Sequence, residues 1–329
     1  MNRFDFGGYF GPIAPLADAL RESPDRFWDP TPEQLAQAHE YVLYLGCNVL
    51  RTMHLAESLV EVLKAMKIDF IAVGGSAHCC GAVHQAVGEP GAGLKIAQKT
   101  LNLFGRSHPK AVLTYCPTCN TVFDGKLASG ELRCDVPYMH VTQFLAEHLD
   151  QLQFARPILR KVALHAHQGT ARAKRDSAHV LSILRAIPGL DVVELPAGEE
   201  WGYICSPMII ENLGPERHHA MVAAMFAAAK DSGCDAVVTV YHTCYRELLC
   251  AEREFGLEWL NYTELLADSL GLGPFPPRYK EMVLAANPDA AYVALESRAI
   301  ERGGNQASLR KAVDVHFRLN ASPVSLRKP

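Results

Sequence analysis

No apolar run in this 329-residue chain approaches the roughly 20 residues that cross a bilayer, so no membrane span is expected. The opening MNRFDFGGYF has no basic stretch followed by an apolar core, so nothing resembles a secretory signal and a cytoplasmic protein is expected. Positive charge is also in short supply. Lys and Arg number 32 against 36 Asp and Glu, for a formal charge of -4. That argues against nucleic-acid binding, which needs a clustered basic footprint. Nucleotide signatures are missing: there is no G-x-G-x-x-G fingerprint and no Walker pattern. Gly74-Gly75 therefore reads as a flexible approach to the cysteines beyond it rather than as a phosphate cradle. There is no C-x-x-C-H haem attachment and no C-x-x-C-x-x-C-x-x-x-C-P ferredoxin run. No low-complexity segment appears. Ten cysteines are too few for a disulfide scaffold of this length, and disulfides are rare in reducing compartments.

Half of those cysteines are nonetheless concentrated. Cys47, the pair Cys79-Cys80, and Cys116 and Cys119 of a C-P-T-C motif fall within 73 residues, spaced C-x31-CC-x35-C-x-x-C. Each group follows an apolar run that reads as a strand: Tyr41-Gly46 (YVLYLG), Ile68-Val73 (IDFIAV) and Ala111-Tyr115 (AVLTY). Ligands of open parallel α/β sheets bind at the carboxyl ends of the strands, so three loops would carry five sulfurs to one place. A lone cysteine is usually a small core residue, and one tetrahedral zinc needs only four ligands. Five thiols, two of them adjacent, favour a polynuclear iron–sulfur cluster over zinc.

The spacing, with Cys79-Cys80-Gly81 and the C-P-T-C motif at 116–119, resembles the CCG (cysteine-rich) domain family. The resemblance is to the CCG-bearing chain of heterodisulfide reductase, its relatives in bacterial sulfur-oxidising complexes, and the iron–sulfur subunits of glycolate, lactate and succinate oxidation. It implies that Cys47, Cys79, Cys80, Cys116 and Cys119 ligate a noncubane [4Fe-4S] cluster with an open face for a substrate sulfur. It also implies that Pro117 rigidifies the C-P-x-C turn.

The chain repeats itself. Residues 110–119 (KAVLTYCPTC) align with 235–244 (DAVVTVYHTC), and 141–149 (VTQFLAEHL) with 262–270 (YTELLADSL). The latter pair reads as a helix opened by a threonine N-cap. Both Cys80 to Cys116 and Cys205 to Tyr241 enclose 35 residues, so Cys205 takes the place of Cys80 and Ile204 that of Cys79. Aligning Lys161-Ala166 (KVALHA) with Tyr41-Gly46 puts His167 at the place of Cys47. Apolar spacing in 49–67, 95–104 and 180–187 indicates helices between strands. The expected fold is α/β: two tandem Rossmann-like CCG half-domains with small parallel sheets, related by a pseudo-twofold internal repeat. Residues 1–155 would hold an N-terminal arm and the complete five-cysteine domain. Residues 156–329 would hold a degenerate copy, C-terminal helices and a disordered tail from Ala321.

The degenerate copy keeps His167, Cys205 and Cys244, with His165 and His242 at hand. The expected metal set is His167, Cys205, His242 and Cys244, whose mixed donors suit one zinc. A different iron–sulfur centre or a metal-free core are the other readings. Cys134, Cys234 and Cys250 match no position of the repeat and read as ordinary core or surface residues. His78 and His84 flank the double cysteine, either as donors to the site or as solvated loop residues. His54 and His108 are expected at the surface. The first 38 or so residues read as an irregular arm whose Phe27 and Trp28 either dock a partner or cover the protein's own sheet.

The family resemblance implies an oxidoreductase subunit active only within a heterodisulfide reductase-like complex. It would pass electrons to or from a disulfide or a protein-bound, lipoate-type sulfur substrate, in sulfur oxidation. Implied partners are a cubane iron–sulfur subunit, a flavoprotein subunit and a lipoate-carrying protein. One alternative is a subunit that only wires electrons from a glycolate, lactate or succinate dehydrogenase. Another is a non-redox assembly subunit that binds zinc.

Overall fold

A computed structural model of the chain describes residues 4–195, 204–205 and 212–320. The chain divides into two compact units, Met1–Phe144 with Leu295–Ala312, and Leu145–Ala294 with Val313–Pro329. Each is built on a four-stranded, wholly parallel sheet. The first unit holds β1 (Tyr41–Gly46), β2 (Phe70–Gly74), β3 (Ala111–Thr114) and β4 (Tyr138–His140) in the order β2-β1-β3-β4. The second holds β5 (Lys161–His165), β6 (Asp191–Glu194), β7 (Ala236–Thr239) and β8 (Glu258–Asn261) in the order β6-β5-β7-β8.

Central strands of such sheets are covered on both faces, so they read as continuous apolar runs rather than as alternating ones. Val42, Leu43, Tyr44 and Leu45 of β1 are all buried, as are all four residues of β3 and β7. The helices follow from amphipathic spacing. Leu55, Leu59, Val62 and Leu63 form the buried face of Met53–Ala65, which a 3-10 turn over Asn48–Thr52 introduces. Pro90 sits in the first turn of Pro90–Phe104, where its missing N–H costs no hydrogen bond. Among the described residues, no helix is long and apolar enough to cross a membrane.

In both sheets the order reverses beside the first strand, which places a switch point between β1 and β3 and between β5 and β7. Ligands of open α/β sheets bind in the crevice outside the strand ends at such points. Cys47 directly follows β1 and Cys116 lies two residues beyond β3, so the cysteines border the crevice of the first unit.

Several expectations require correction. The N-terminal segment is helical, not irregular: Phe6–Phe10, Ile13–Leu20 and Pro32–Leu35 are helices. Leu16, Ala17, Ala19 and Leu20 are buried, and Trp28 is 3% exposed, its carbonyl accepting a 2.8 Å hydrogen bond from the Gly74 amide. Trp28 thus covers the protein's own sheet edge, while Phe27 is half-buried against it. His54 is buried rather than exposed, because it lies on the inward face of Met53–Ala65. The two helices of the repeat are not capped by threonine. Asn261 caps Tyr262–Ser269 in a capping box with Glu264, and Thr263 donates to the Asn261 side chain. In the first unit His140 stands where Asn261 does, with Nδ1 2.8 Å from Thr142 Oγ1.

Among the described residues past 270 there are three helices, Arg278–Val283, Pro288–Glu301 and Gln306–Asn320. Leu295–Ala312 joins the first unit, although these helices were expected to stay with the second half. Arg298 donates to the carbonyls of Ala19 and Arg21 and pairs with Glu22 at 2.8 Å. The tail from Ala321, expected to be disordered, lies outside the described residues.

The third residue of the double-cysteine motif has its own steric requirement. Gly81 adopts φ +81, and a Cβ there would meet the Gly93 carbonyl oxygen at 2.2 Å. Gly88, at φ +83, faces open space. Gly88→Ala is expected to cost about 1 kcal/mol for the left-handed conformation alone. Gly81→Ala adds a backbone clash and should cost at least about 3 kcal/mol. Urea denaturation of the two variants side by side measures the difference.

Candidate metal centres

In the first unit all five motif cysteines are buried. Cys47 comes from the end of β1, Cys79 and Cys80 from the loop after β2, and Cys116 and Cys119 from the junction of β3 with helix Pro117–Ala128. The sulfurs are close neighbours, and Cys47 is also within electrostatic reach of Cys80 and Cys116. Cys47 Sγ lies 4.0 Å from Cys79 Sγ, Cys79 neighbours Cys80, Cys80 neighbours Cys119, and Cys119 neighbours Cys116.

The backbone is shaped around them. A Cβ on Gly46 would stand 3.0 Å from Cys119 Sγ, and Gly46 itself has φ +72. The Gly81 amide points at Cys79 Sγ from 3.4 Å, and Thr100 donates to the Cys79 carbonyl at 3.0 Å. Tyr44, fully buried, donates its hydroxyl to the His78 carbonyl at 2.7 Å, and that oxygen lies 3.7 Å from Cys119 Sγ. Cys116 occupies the N-cap position of helix Pro117–Ala128 and Cys119 its first turn, where the helix dipole favours thiolate.

Crowding splits the acidities. Hydrogen bonds from Cys47 and Cys80, with the Gly81 amide adding to them, hold the Cys79 thiol down to about 3. The adjoining thiol and burial push Cys47 up, and Cys119 is raised by Cys116, Cys80 and burial. The five sulfurs therefore cannot all give up their protons unless a cation takes their place. The Asn120 amide, also fully buried beside Cys119, has both polar atoms without a hydrogen-bond partner. An orphaned buried amide next to clustered thiols fits a site built to hold a further polar group.

The second unit gathers four donors. His165, His167, Cys205 and Cys244 are buried and offer ligand atoms all within 4.8 Å of one another. His167 Nε2 lies 2.9 Å from Cys244 Sγ and 3.6 Å from Cys205 Sγ, and the two sulfurs are 2.9 Å apart. The fourth member is His165, not the expected His242. The parallel register explains this. His165 stands opposite Thr239 as Tyr44 stands opposite Thr114, so His165 fills the place of Tyr44, one residue from the alignment expected. A one-residue shift along a strand changes the face. His165 and His167, two apart, then present their rings together, with centroids 5.0 Å apart. An H-x-H pair at a strand end is the signal that could have found this ligand. His242, fully buried at the start of helix His242–Glu247, is outside the group.

Surrounding residues fix the donors. Ser177 accepts from the His167 amide at 2.8 Å, and His218 Nε2 lies 2.6 Å from the Ile204 carbonyl, anchoring the turn that carries Cys205. Trp259 Nε1 donates to the carbonyl of Cys244 at 3.3 Å. Tyr241, standing where the first unit has Cys116, donates to Asp176 at 2.8 Å and sets its ring edge-on to His167. Burial pulls the His165 imidazole toward its neutral form. The neighbouring Cys244 thiol and burial push Cys205 up to about 12. A neutral ring nitrogen beside two crowded thiols is a donor set that fits a metal.

The family profile of the cysteine-rich domain (CCG) matches residues 41–124 and again 165–248, together half of the chain. The chain belongs to the CCG cysteine-rich domain family. Both matched segments span the donor-bearing loops of their unit. A comparison with curated proteins returns no match. Among solved structures, a hypothetical protein from Helicobacter pylori aligns at 11% identity and TM-score 0.48, covering 85% of this chain and 57% of that one. An aspartate racemase homologue from Pyrococcus horikoshii OT3 aligns at 17% identity and TM-score 0.32, covering 70% of this chain and 97% of that one. Glutamate racemase from Francisella tularensis aligns at 14% identity and TM-score 0.32, covering 72% and 80%. At these scores the likenesses carry no argument about this CCG protein.

The remaining cysteines lie apart from both groups. Cys134 is half-buried and donates to the Val136 carbonyl, while Cys234 and Cys250 are buried. His84 stacks on Phe6 at 4.4 Å, and His108 is exposed as expected. The second-unit group yields a direct test. His165→Ala should weaken metal retention by about 100-fold, whereas His242→Ala should change it by less than about tenfold. Chelator competition with element analysis reads both.

Proposed function

We propose that this CCG protein is the iron–sulfur subunit of a heterodisulfide reductase-like complex. Cys47, Cys79, Cys80, Cys116 and Cys119 would hold a noncubane [4Fe-4S] cluster, and His165, His167, Cys205 and Cys244 one zinc. The observation that carries the reading is the string of five buried thiols along the β1/β3 switch point. Five buried thiols exceed the four donors that one tetrahedral ion takes, whereas the second unit's four donors lie within 4.8 Å of one another, as one ion requires. When bound, the cluster would supply one-electron chemistry, with a disulfide or a protein-bound, lipoate-type sulfur as the proposed substrate.

The chain's own residues would do the rest. The five cysteines give up their protons to bind. Gly46 lets backbone approach the Cys119 sulfur closely, and Gly81 lets the double-cysteine loop pack on Gly93. Burial, the Gly81 amide aimed at Cys79 and the Tyr44 hydroxyl oxygen beside Cys119 would set the electrostatic environment that tunes the potential. The second unit would be structural. Two cysteine positions are filled there by Ile204 and Tyr241, so a five-thiolate set is absent.

No dinucleotide or flavin motif accompanies the cysteines, so electrons would come from or go to other polypeptides. A cubane iron–sulfur subunit, a flavoprotein and a lipoate-carrying protein are the partners proposed. Anaerobically purified protein should contain about four irons and one zinc per chain. Cys80→Ser should lose most of the iron while keeping the zinc. Metal analysis with electron paramagnetic resonance decides. Zinc alone would overturn the proposal for the first unit, and two full clusters would overturn it for the second.

A further inference from the structure

Helix Pro90–Phe104 has two working sides. Its inner side braces the double-cysteine loop, through Thr100 on the Cys79 carbonyl and through the tight Gly81–Gly93 approach. Its outer side carries Lys95 and Lys99 one turn apart, and Arg106 continues the row in the 3-10 turn Gly105–Ser107. All three are exposed, and none makes an ion pair among the described residues. Elsewhere in the same unit, Lys64, Lys110 and Lys126 each sit beside a glutamate.

Two lysines four apart on a helix repel one another, so the row contributes nothing to folding. It also opposes the chain's overall charge of -4. The three cations border a groove of about 650 Å³ that has no carboxylate in its lining. Its apolar wall is Pro30, Pro32, Leu35 and Leu103, and His78 also lines it. His78 immediately precedes Cys79, and its carbonyl holds the Tyr44 hydroxyl that lies beside Cys119. An apolar slot rimmed by unpaired cations, one residue from the buried sulfurs, suits a protein surface of opposite charge.

We propose that this basic row is the landing surface for an acidic electron-carrier protein. Docking needs only the surface described here. The electron exchange rests on the proposed function: one electron leaves the carrier's centre, which is oxidised, and enters the first-unit centre, which is reduced, with no bond made or broken. Electron-transfer encounters of this kind are small and strongly salt-dependent.

A fluorescently labelled plant-type [2Fe-2S] ferredoxin, an acidic one-electron carrier, serves as the probe, with binding to the full-length protein read by anisotropy. Binding should saturate at low salt and weaken as sodium chloride is raised. The combined variant Lys95→Glu, Lys99→Glu and Arg106→Glu should weaken it by at least about tenfold. A charge-matched variant, Lys174→Glu, Lys230→Glu and Lys311→Glu, all exposed and in other helices, should change it less than about threefold. If the first variant does not fold, Lys95→Gln with Lys99→Gln should give a smaller loss in the same direction. Equal losses in the two charge-matched variants would overturn the proposal. So would displacement of the probe by phosphate beyond that by chloride at matched ionic strength, which would mark a small-anion site instead. Iron measured on the same samples separates the two ideas, because absent iron overturns the proposed function while the binding comparison still decides the docking surface.

Discussion

Sulfur and imidazole donors brought together where water is excluded repel one another as soon as more than one becomes an anion. That constraint governs both halves of this molecule. In the first unit Cys79 leans toward thiolate while Cys47 and Cys119 are driven toward thiol, and in the second Cys205 is driven the same way. The surrounding structure keeps the donors in place despite this. Thr100 and the Gly81 amide hold the loop of Cys79, Trp259 holds the helix of Cys244, and Ser177 holds His167. A metal cation relieves the repulsion it finds, so its binding free energy becomes folding free energy.

The two units show how one backbone serves different donor sets. The strand orders β2-β1-β3-β4 and β6-β5-β7-β8 are the same, so the crevice at the switch point persists. What fills it has changed. Tyr44 lends a hydroxyl near sulfur in the first unit, and the residue in its place, His165, is itself a ligand candidate. Tyr241 stands where Cys116 does and turns its hydroxyl outward to Asp176. Ile204 replaces Cys79 and is wholly buried. Architecture persists while chemistry is rewritten at a handful of strand-end positions.

Much of this was legible because apolar runs and repeats are local signals. YVLYLG is β1 from end to end, and the 110–119 and 235–244 match became β3 and β7 with their following helices. The misses share a different cause: each depended on register or on packing between distant segments. His242 lies two residues from Cys244 and His165 two from His167, and only the pairing of β5 with β7 distinguishes them. Thr142 and Thr263 look like caps until the preceding His140 and Asn261 are seen to hold their hydroxyls. The N-terminal helices are short, with Pro12, Pro15 and Pro30 in or beside them, so their order comes from burial, of Ile13–Leu20 against Asn48–Thr52 and Met53–Ala65, rather than from propensity. Trp28 showed its role only through Gly74.

The return of Leu295–Ala312 to the first unit bears on how the molecule is made. A chain leaves the ribosome amino end first, at about 5–20 residues per second. The five cysteines and the whole of β1 to β4 emerge long before Arg298, which ties off the carbonyls of Ala19 and Arg21 and the carboxylate of Glu22. Until then Ala19, Arg21 and Glu22 lack the partner that holds them in the finished unit. Translation thus leaves an interval in which every strand of the first unit is out while a segment of that unit is still to come.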